Sequence, residues 1–580
     1  MDNVDIAAAL DEMAVLLEID GANPFRVRAY QNAARTIADH TEPVRALVEQ
    51  EADLTELPAI GKDMAASVRE LVTTGRLAAL EELTGRVPRS LIELTKLPGV
   101  GAKKTRRLWQ ELGVTTIDDL EREAQVGSVA DLEGFGAKSQ QKILDGIARY
   151  RARQGRYGIA DAEAHIAPLI EYLRNLEVVE RVEAAGSLRR RRETVGDIDL
   201  LAIASDAGAV MERFVAYPQI RSVELSGETK TTVVLRSGVQ VDLRVLPAGS
   251  YGAALQYFTG SKEHNVRLRK RALSMGLTVS EYGVFRVSDD GEGRAEEDQV
   301  AGAEEEDVYA ALELPWIPPE LREDRGEIDA AAAGSLPRLL TAEDIRGDLQ
   351  MHSTWSDGKT SIEEMLTACA ARGYEYFAIT DHSKALAMTG GMDAKKLRAQ
   401  WEEIDEVAAR HDEIRLLRGM EVDILRDGRL DLEDELLAEL DVVLVSVHSY
   451  FDLPPAEQTE RILRALRHPE VNILAHPTGR LIQRRDPMQF DVDEVLRCAA
   501  EEKVVVELNA NPERLDLKDT HLIRAKELGL SVVISTDAHR PQDLDLMRFG
   551  IDQARRAWLT PDDVINAWPL ERLRAVLAKD

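Results

Sequence analysis

The C-terminal rhythm of this chain constrains its fold more than any other feature. From about Leu349 to the end, short apolar runs alternate with amphipathic helical segments. The runs are Phe377–Thr380, Val442–Val445, Val471–Leu474, Val504–Glu507 and Val532–Ser535. Strands that read as continuous apolar runs belong to sheets covered on both faces, and intervening helices are the crossovers that parallel strands need. The alternation therefore predicts parallel strands closed into a barrel. Eight candidate metal ligands fall at or near the ends of these runs: His352, Asp357, His382, Glu421, His448, His476, Asp537 and His539. Five of the 11 histidines of the chain are in this set. Catalytic residues of a barrel come from the loops after several different strands, and imidazole with carboxylate suits Zn²⁺ or Mn²⁺.

The first ~90 residues read as short helices, with Ile6, Leu10, Met13 and Leu17 at helical spacing and a break at Gly21-Ala-Asn-Pro24. From Leu54 onward one pattern returns: an apolar residue, a short glycine turn, then a helix with a basic start. Its copies are Leu57-Pro-Ala-Ile-Gly61-Lys62, Leu97-Pro-Gly-Val-Gly101-Ala-Lys103-Lys104 and, more weakly, Leu132-Glu-Gly-Phe-Gly136-Ala-Lys138. Gly99 and Gly101 can take positive φ and admit a close backbone, and the helix start that follows offers free N–H groups to a phosphate. Lys103, Lys104, Arg106 and Arg107 add charge. These turns resemble the helix-hairpin-helix, a sequence-independent clamp on the DNA backbone.

The net charge of −31 argues against a nucleic-acid partner if only the total is read. Distribution reverses that reading. Leu97 to Tyr157 holds 11 basic and 8 acidic residues, and Arg189 to Arg192 is an unbroken arginine run. The acidic stretch 288–312 and the Pro-rich 314–319 read as a solvated linker. No apolar run approaches the ~18 residues of a membrane span, and the N-terminus lacks a signal-peptide pattern. Two cysteines, Cys369 and Cys498, exclude a disulfide framework. The expectation is a cytoplasmic, multi-domain protein with no membrane partner.

Between these regions, β-branched runs at 178–185, 197–204, 221–225, 231–235 and 239–246 predict a mixed sheet. The segment Gly186-Ser187-Leu-Arg-Arg190 leads to Gly196-Asp197-Ile-Asp199. Asp197 and Asp199 alternate along a strand and so share a face. Adjacent carboxylates are costly unless cations bridge them, as in a two-metal phosphoryl-transfer site. Asp242 supplies a third carboxylate if its strand lies beside the first. Gly186 and Ser187 form a tight turn able to hold a triphosphate, with Arg190 to neutralise it.

Downstream, Tyr257-Phe258-Thr259-Gly260-Ser261 is followed by His264-Asn265 and Arg269. With these motifs in order, residues 1 to about 320 resemble the family X DNA polymerases. The resemblance implies that Asp197, Asp199 and Asp242 hold Mg²⁺ or Mn²⁺, and that Ser187, Arg190 and Gly196 contact the triphosphate. It also implies that Tyr257, Phe258 and Gly260 line the sugar, Asn265 reaches the base edge, and Arg269 meets the template strand. Gln240 and Lys262 depart from the vertebrate pattern. Ser67 stands where members with sugar-phosphate lyase activity carry a Schiff-base lysine, and serine cannot form that adduct.

The histidine–carboxylate set resembles the PHP (polymerase and histidinol phosphatase) domain, a distorted seven-stranded β/α barrel with up to three metals that hydrolyses phosphoesters. The family opens its ligand set with His-x-His. Here the sequence is Gln350-Met-His352, and an amide oxygen binds transition metals less well than imidazole. That departure bears on the metal expected to share His352, Glu421 and Asp537. The other two would use Glu421, His448, His476 and Asp357, His382, His539.

Together the resemblances imply a multi-domain α+β chain. Residues 1–90 form a helical DNA-binding domain and 91–158 a second helix-hairpin-helix domain. Residues 159–247 form a nucleotidyltransferase palm, 248–318 a small thumb, 319–345 a linker and 346–580 the PHP barrel. The expected activity is gap-filling DNA polymerisation in repair, with metal-dependent 3′–5′ exonuclease activity. Gapped or primer–template DNA and deoxynucleoside triphosphates are the expected partners, and the chain is expected to be a monomer. The rival readings are a PHP nuclease with a vestigial polymerase core, a template-independent transferase and a non-catalytic DNA-repair scaffold.

Overall fold

A computed structural model of the chain describes residues 3–38, 44–50, 52–97, 99–153, 155–287, 298–386 and 389–578. It forms two compact units, Met1–Gln154 and Gly155–Asp580.

The first unit is helical. Its opening helix spans Asn3–Asp20 and buries Ile6, Leu10, Met13 and Leu17, the stripe its periodicity predicts. Gly21 takes φ +80, a left-handed backbone that favours glycine, and the guanidinium of Arg106 lies where a Cβ would project. The three repeated turns share a left-handed residue, and the third differs from the others in that Gly136 also takes a positive φ, of 78. Ala59, Gly99 and Gly134 occupy the same turn position with φ of 59, 79 and 83. The helices that follow are Lys62–Thr74, Ala102–Leu112 and Ala137–Arg153. Gly101 does not use a positive φ: it caps its helix at φ −76, as Gly61 does at φ −81.

The second unit contains a five-stranded sheet, a small three-stranded sheet and a parallel barrel. The five-stranded sheet is ordered Val179–Ala184, Ile198–Ala204, Gln240–Val245, Lys230–Leu235, Ile220–Ser226. Only the pair Ile198–Ala204 and Gln240–Val245 is parallel, and it sets Asp199 opposite Asp242. Helices Ile159–Arg174 and Ala207–Val215 supply the core on one face, which also takes in Leu515 and Phe549 from the barrel. Tyr251, Ala254 and Leu255 pack on the other face.

The linker expectation fails for the described part of 288–312 and for 314–319. Glu305–Ala310 is a helix, and Val308, Tyr309, Leu312, Leu314 and Ile317 are buried in one cluster with Leu321, Ile328 and Leu339. The cause is a buried charge network. Glu305 accepts both Arg189 nitrogens at 2.8 and 3.0 Å, the Trp316 indole at 2.8 Å, and the fully buried Arg322. Residues 319–345 belong to the same packed body and do not behave as a free tether.

The barrel strands are Gly347–Asp348, Tyr376–Ile379, Arg415–Asp423, Val442–Ser446, Ile473–Leu474, Val505–Asn509 and Val532–Ser535, all parallel and in sequence order. A bridge between Met351 and Ala538 brings the first and last strands together. Strand alternation then sorts each run. Tyr376, Leu417, Val442, Leu444, Val505 and Val533 meet Trp568, and Leu573 and Leu577 of the C-terminal helix Leu570–Leu577, in one apolar cluster. Glu421 and Glu507 keep that parity further along their strands, and His382, His448 and Asp537 follow the ends of theirs, so the polar set gathers beyond that plug, toward the carboxyl ends.

Candidate active sites

In the sheet, Asp197 is exposed just before strand Ile198–Ala204, Asp199 is half-buried within it and Asp242 is 9% exposed. Burial pushes the Asp199 carboxyl up to about 6, reinforced by the charges of Asp197 and Asp242 and opposed by Arg244 and Lys230. Three carboxylates are thus near enough to repel. Among the described residues, however, they do not form a set with ligand atoms all within 4.8 Å. Asp242 is drawn to Lys230, 3.1 Å from its Oδ2, and its buried Oδ1 has no hydrogen-bond partner. An orphaned carboxylate oxygen facing two like charges fits a cation-binding role. Gly186 takes φ +63, and a Cβ there would sit 3.1 Å from Asp199 Oδ2, so glycine keeps that carboxylate accessible. Ser187 and Gly196 are half-buried nearby.

Two of the expected site residues are hydrogen-bonded within the protein. Arg190 faces inward. Its Nε lies 3.0 Å from Glu323, its Nη1 donates to the Thr259 carbonyl at 2.7 Å, and Arg556 of the barrel bonds both Glu323 and the Arg190 carbonyl. Arg191 pairs with Asp552 and Glu163, so the arginine run is largely an internal brace between sheet and barrel, leaving Arg192 the most exposed. Asn265 is also spent internally. Its amide donates to the Tyr257 and Gly260 carbonyls at 2.7 and 3.3 Å and accepts from Gln256 at 2.9 Å. These bonds close the last turn of helix Tyr251–Thr259 onto Gly260. Within that turn Phe258 lies under the Arg244 guanidinium at 4.4 Å, beside Asp242, and Tyr257 meets Phe258 edge-on. Arg269 bonds the Asn265 carbonyl at 3.3 Å.

In the hairpin region, Lys103 is exposed, and Lys104 donates to the Gly99 carbonyl at 2.9 Å, which stiffens the turn. Arg107 pairs with Glu111 and reaches the Glu133 carbonyl of the third hairpin, while Arg106 packs on the Gly21 turn. The two arginines tie helices together, so Lys103 and Lys104 carry the open charge. Ser67 is half-buried and donates to the Asp63 carbonyl at 3.1 Å.

The barrel set is far more compact. Three overlapping groups bring their ligand atoms within 4.8 Å: His352, Asp357, His382, His539; His382, Glu421, His448; and His352, Glu421, Asp537. The last group matches expectation. The other two differ from it, because His352 and His382 each serve two groups. His476 stays outside them, its Nε2 2.9 Å from Glu421 Oε1. Glu421 is the hub: His352, His382 and His448 also approach it, at 3.5, 3.3 and 3.3 Å. Burial pushes the Glu421 carboxyl up, but the surrounding imidazoles overcome this and hold it well below the carboxylate range. Burial lowers His382 to about 4, while contacts with Asp357 and Asp537 lift His539 to about 9 against its burial.

Several buried atoms of this set lack hydrogen-bond partners: His352 Nδ1, Glu421 Oε2, His476 Nδ1 and both amide atoms of Gln350. Orphaned donors of this chemistry, converging in clusters, fit divalent cations. Sequence reasoning missed the residues that orient the ligands. Asp423 Oδ1 holds His448 Nδ1 at 3.0 Å, Asn509 bonds Asp537 at 3.2 Å, and Glu507 accepts the His476 N–H at 2.5 Å. A usable signal existed for Asp423, which lies two residues from Glu421 on one strand face.

Comparisons with known proteins agree along the chain. Residues 1–77 match the helix-hairpin-helix domain and 91–149 the SAM-like helix-hairpin-helix tandem. Residues 254–323 match the DNA polymerase beta thumb and 348–511 the PHP domain. The DNA polymerase/3′-5′ exonuclease PolX of Bacillus subtilis is 39% identical over 582 residues, covering 100% of both chains. DNA polymerase lambda of Rattus norvegicus is 25% identical over 55% of this chain and 56% of its own length. A probable phosphatase of Syntrophotalea carbinolica is 27% identical over 38% of this chain and 90% of its own.

Proposed function

Because the chain belongs to the family X DNA polymerases that carry a C-terminal PHP domain, we propose that its two acidic sites divide the work of one repair enzyme. It is a gap-filling DNA polymerase with a 3′–5′ exonuclease, acting on DNA and deoxynucleoside triphosphates. Asp197, Asp199 and Asp242 hold Mg²⁺ or Mn²⁺, and the barrel set holds Mn²⁺ or Zn²⁺. Such ions, when bound, supply Lewis-acid stabilisation of phosphate charge and lower the pKa of a bound oxygen nucleophile. The residues of the chain do the rest. Lys230 and Arg244 orient Asp242, Gly186 keeps Asp199 open, and Asn265 sets the Tyr257–Gly260 turn against which a nucleotide sugar fits. Base excision repair, a cytoplasmic location and a monomeric state complete the proposal, along with the domain boundaries already given. No helix among the described residues is long and apolar enough to cross a membrane.

The parallel register of Asp199 against Asp242 carries the polymerase half of this reading. Primer extension across a gapped template, with Mg²⁺ and Mn²⁺ compared, tests it, and loss of a 3′ label without nucleotides tests the exonuclease.

Three further outcomes are expected. Asp199 is ionised above pH 6 and takes a proton as pH falls through about 6, so protons compete with its cation below that point. The Mn²⁺ concentration for half-maximal extension should therefore rise between pH 8 and pH 5.5, with DNA binding measured in parallel as the control. A flat requirement would remove Asp199 from the ligand set. For the hairpins, replacing Lys103 and Lys104 by alanine should flatten the plot of log affinity against log salt by ~0.7–0.9 per lost phosphate contact. An unchanged slope would show that this turn does not grip DNA.

The third concerns Gln350, whose buried amide has no hydrogen-bond partner. An unsatisfied buried amide costs about 1–3 kcal/mol, an expense that a cation on its oxygen would offset. We assign Gln350 to the cation shared by His352, Glu421 and Asp537, held more weakly than by imidazole. Gln350→His should raise bound-metal content, read by elemental analysis, and speed 3′-end hydrolysis. A variant with no extra metal and no gain in rate would make Gln350 a packing residue.

A further inference from the structure

The barrel rim carries a recess outside the ligand clusters, walled by segments that directly follow three ligand-bearing strands. Ala385 comes three residues after His382, Asp423 two after Glu421, and Tyr450 two after His448. Its volume is about 720 Å³, within the range of small-molecule sites, and one side is open.

Three observations mark it as built. The guanidinium of Arg461, only 2% exposed, donates to the carbonyls of Leu425 and Ser449 at 2.8 Å each, and to that of Ile424. One buried cation thus pins both lips. Tyr450 adopts φ +57, a left-handed backbone that aromatic residues rarely take, and this leaves its side chain 51% exposed at the rim. Its ring lies 5.7 Å from the guanidinium of Arg426 and 5.8 Å from that of Arg461. Finally, Asp423 lines the recess while its Oδ1 holds His448 Nδ1, so an occupant of the recess borders the ligand set directly.

We propose that this recess receives the terminal nucleoside of a DNA 3′ end, with Tyr450 stacking on the base and Arg426 facing the adjoining phosphate. The proposal rests on the exonuclease reading and adds a subsite to it. An exposed aromatic ring beside a cation is how single-stranded nucleic acid is held without sequence preference, since every base has a π-face. Among the described residues Arg426 has no carboxylate partner, whereas the neighbouring Arg429 is neutralised by Asp427 at 2.7 Å. Arg426 is therefore the cation of the recess available to a phosphate. Seating the last nucleoside here would place the phosphodiester on its 5′ side toward His448 and Glu421.

The test uses the full-length protein and single-stranded oligonucleotides carrying 2-aminopurine at the 3′ or the 5′ end, bound in EDTA so that no cleavage occurs. Stacking should quench the 3′ label more than the 5′ label. Tyr450→Ala should remove that difference and Tyr450→Phe should keep it, with thermal melting confirming that both variants fold. With Mn²⁺, Tyr450→Ala should raise KM for 3′-end removal by about 5- to 150-fold, the range that aromatic–base stacking spans. It should leave KM unchanged for a substrate ending in an abasic residue. Equal quenching and equal KM in Tyr450→Ala would overturn the recess. If the wild-type protein removes no 3′ nucleotide with any cation, the exonuclease reading fails instead, and the quenching still decides the recess.

Discussion

Asp242→Ala should abolish nucleotide insertion while leaving the exonuclease and DNA binding near wild-type levels. The side chain stands opposite Asp199 on the neighbouring parallel strand, with a buried oxygen that no protein donor satisfies. Removing it takes a ligand from the cations that neutralise the transferring phosphate. Such stabilisation is worth several kcal/mol, and at ~1.4 kcal/mol per tenfold the rate should fall on the order of 10³-fold. Its partner Lys230 is 36% exposed, so hydration compensates the lost ion pair and folding should survive. Asp242→Asn keeps the shape and removes the charge, and should be almost as slow. Single-turnover insertion on a gapped duplex reads the effect. Either variant inserting at the wild-type rate would dismiss the carboxylate triad as the polymerase centre.

Glu421→Gln should have the mirror effect: 3′-end removal lost by orders of magnitude, insertion retained. Glu421 touches four imidazoles and belongs to two of the three clusters, so its charge supports more of the barrel site than any other residue. Without it His448 and His476 lose the carboxylate they share, and cation content should drop along with activity. His476→Ala, whose residue lies outside the compact clusters, should cost less. Elemental analysis beside a 3′-label assay separates the two outcomes. A fall in insertion to match the loss of exonuclease would show that the barrel supports the sheet through its packing, by way of Arg556, Glu323 and Arg190.

Much of this was legible because its signals are local. A glycine turn followed by a basic helix declares a hairpin within ten residues. Asp197 and Asp199, two residues apart at the start of a strand, declare neighbouring carboxylates. Each barrel ligand announced itself beside its own strand, since barrel geometry sends strand ends to one rim whatever lies between them.

The remainder depended on encounters between residues far apart in sequence. The arginine run read as surface charge, yet its partners Glu305, Glu323 and Asp552 lie more than 100 residues away, and only packing turned the side chains inward. The acidic stretch read as solvated because composition counts charges and not their partners; Arg189 and the buried Arg322 made Glu305 part of a core. Sharing of His352 and His382 between clusters is likewise a matter of ångströms across the barrel rim, which no spacing in the chain encodes. The sequence by itself determined the elements, their order and the chemistry of the residues at their ends, because hydrophobic period and turn conformation are local properties. Only the tertiary structure decided which charges face water and which face one another, because that choice rests on desolvation and pairing across the folded interior.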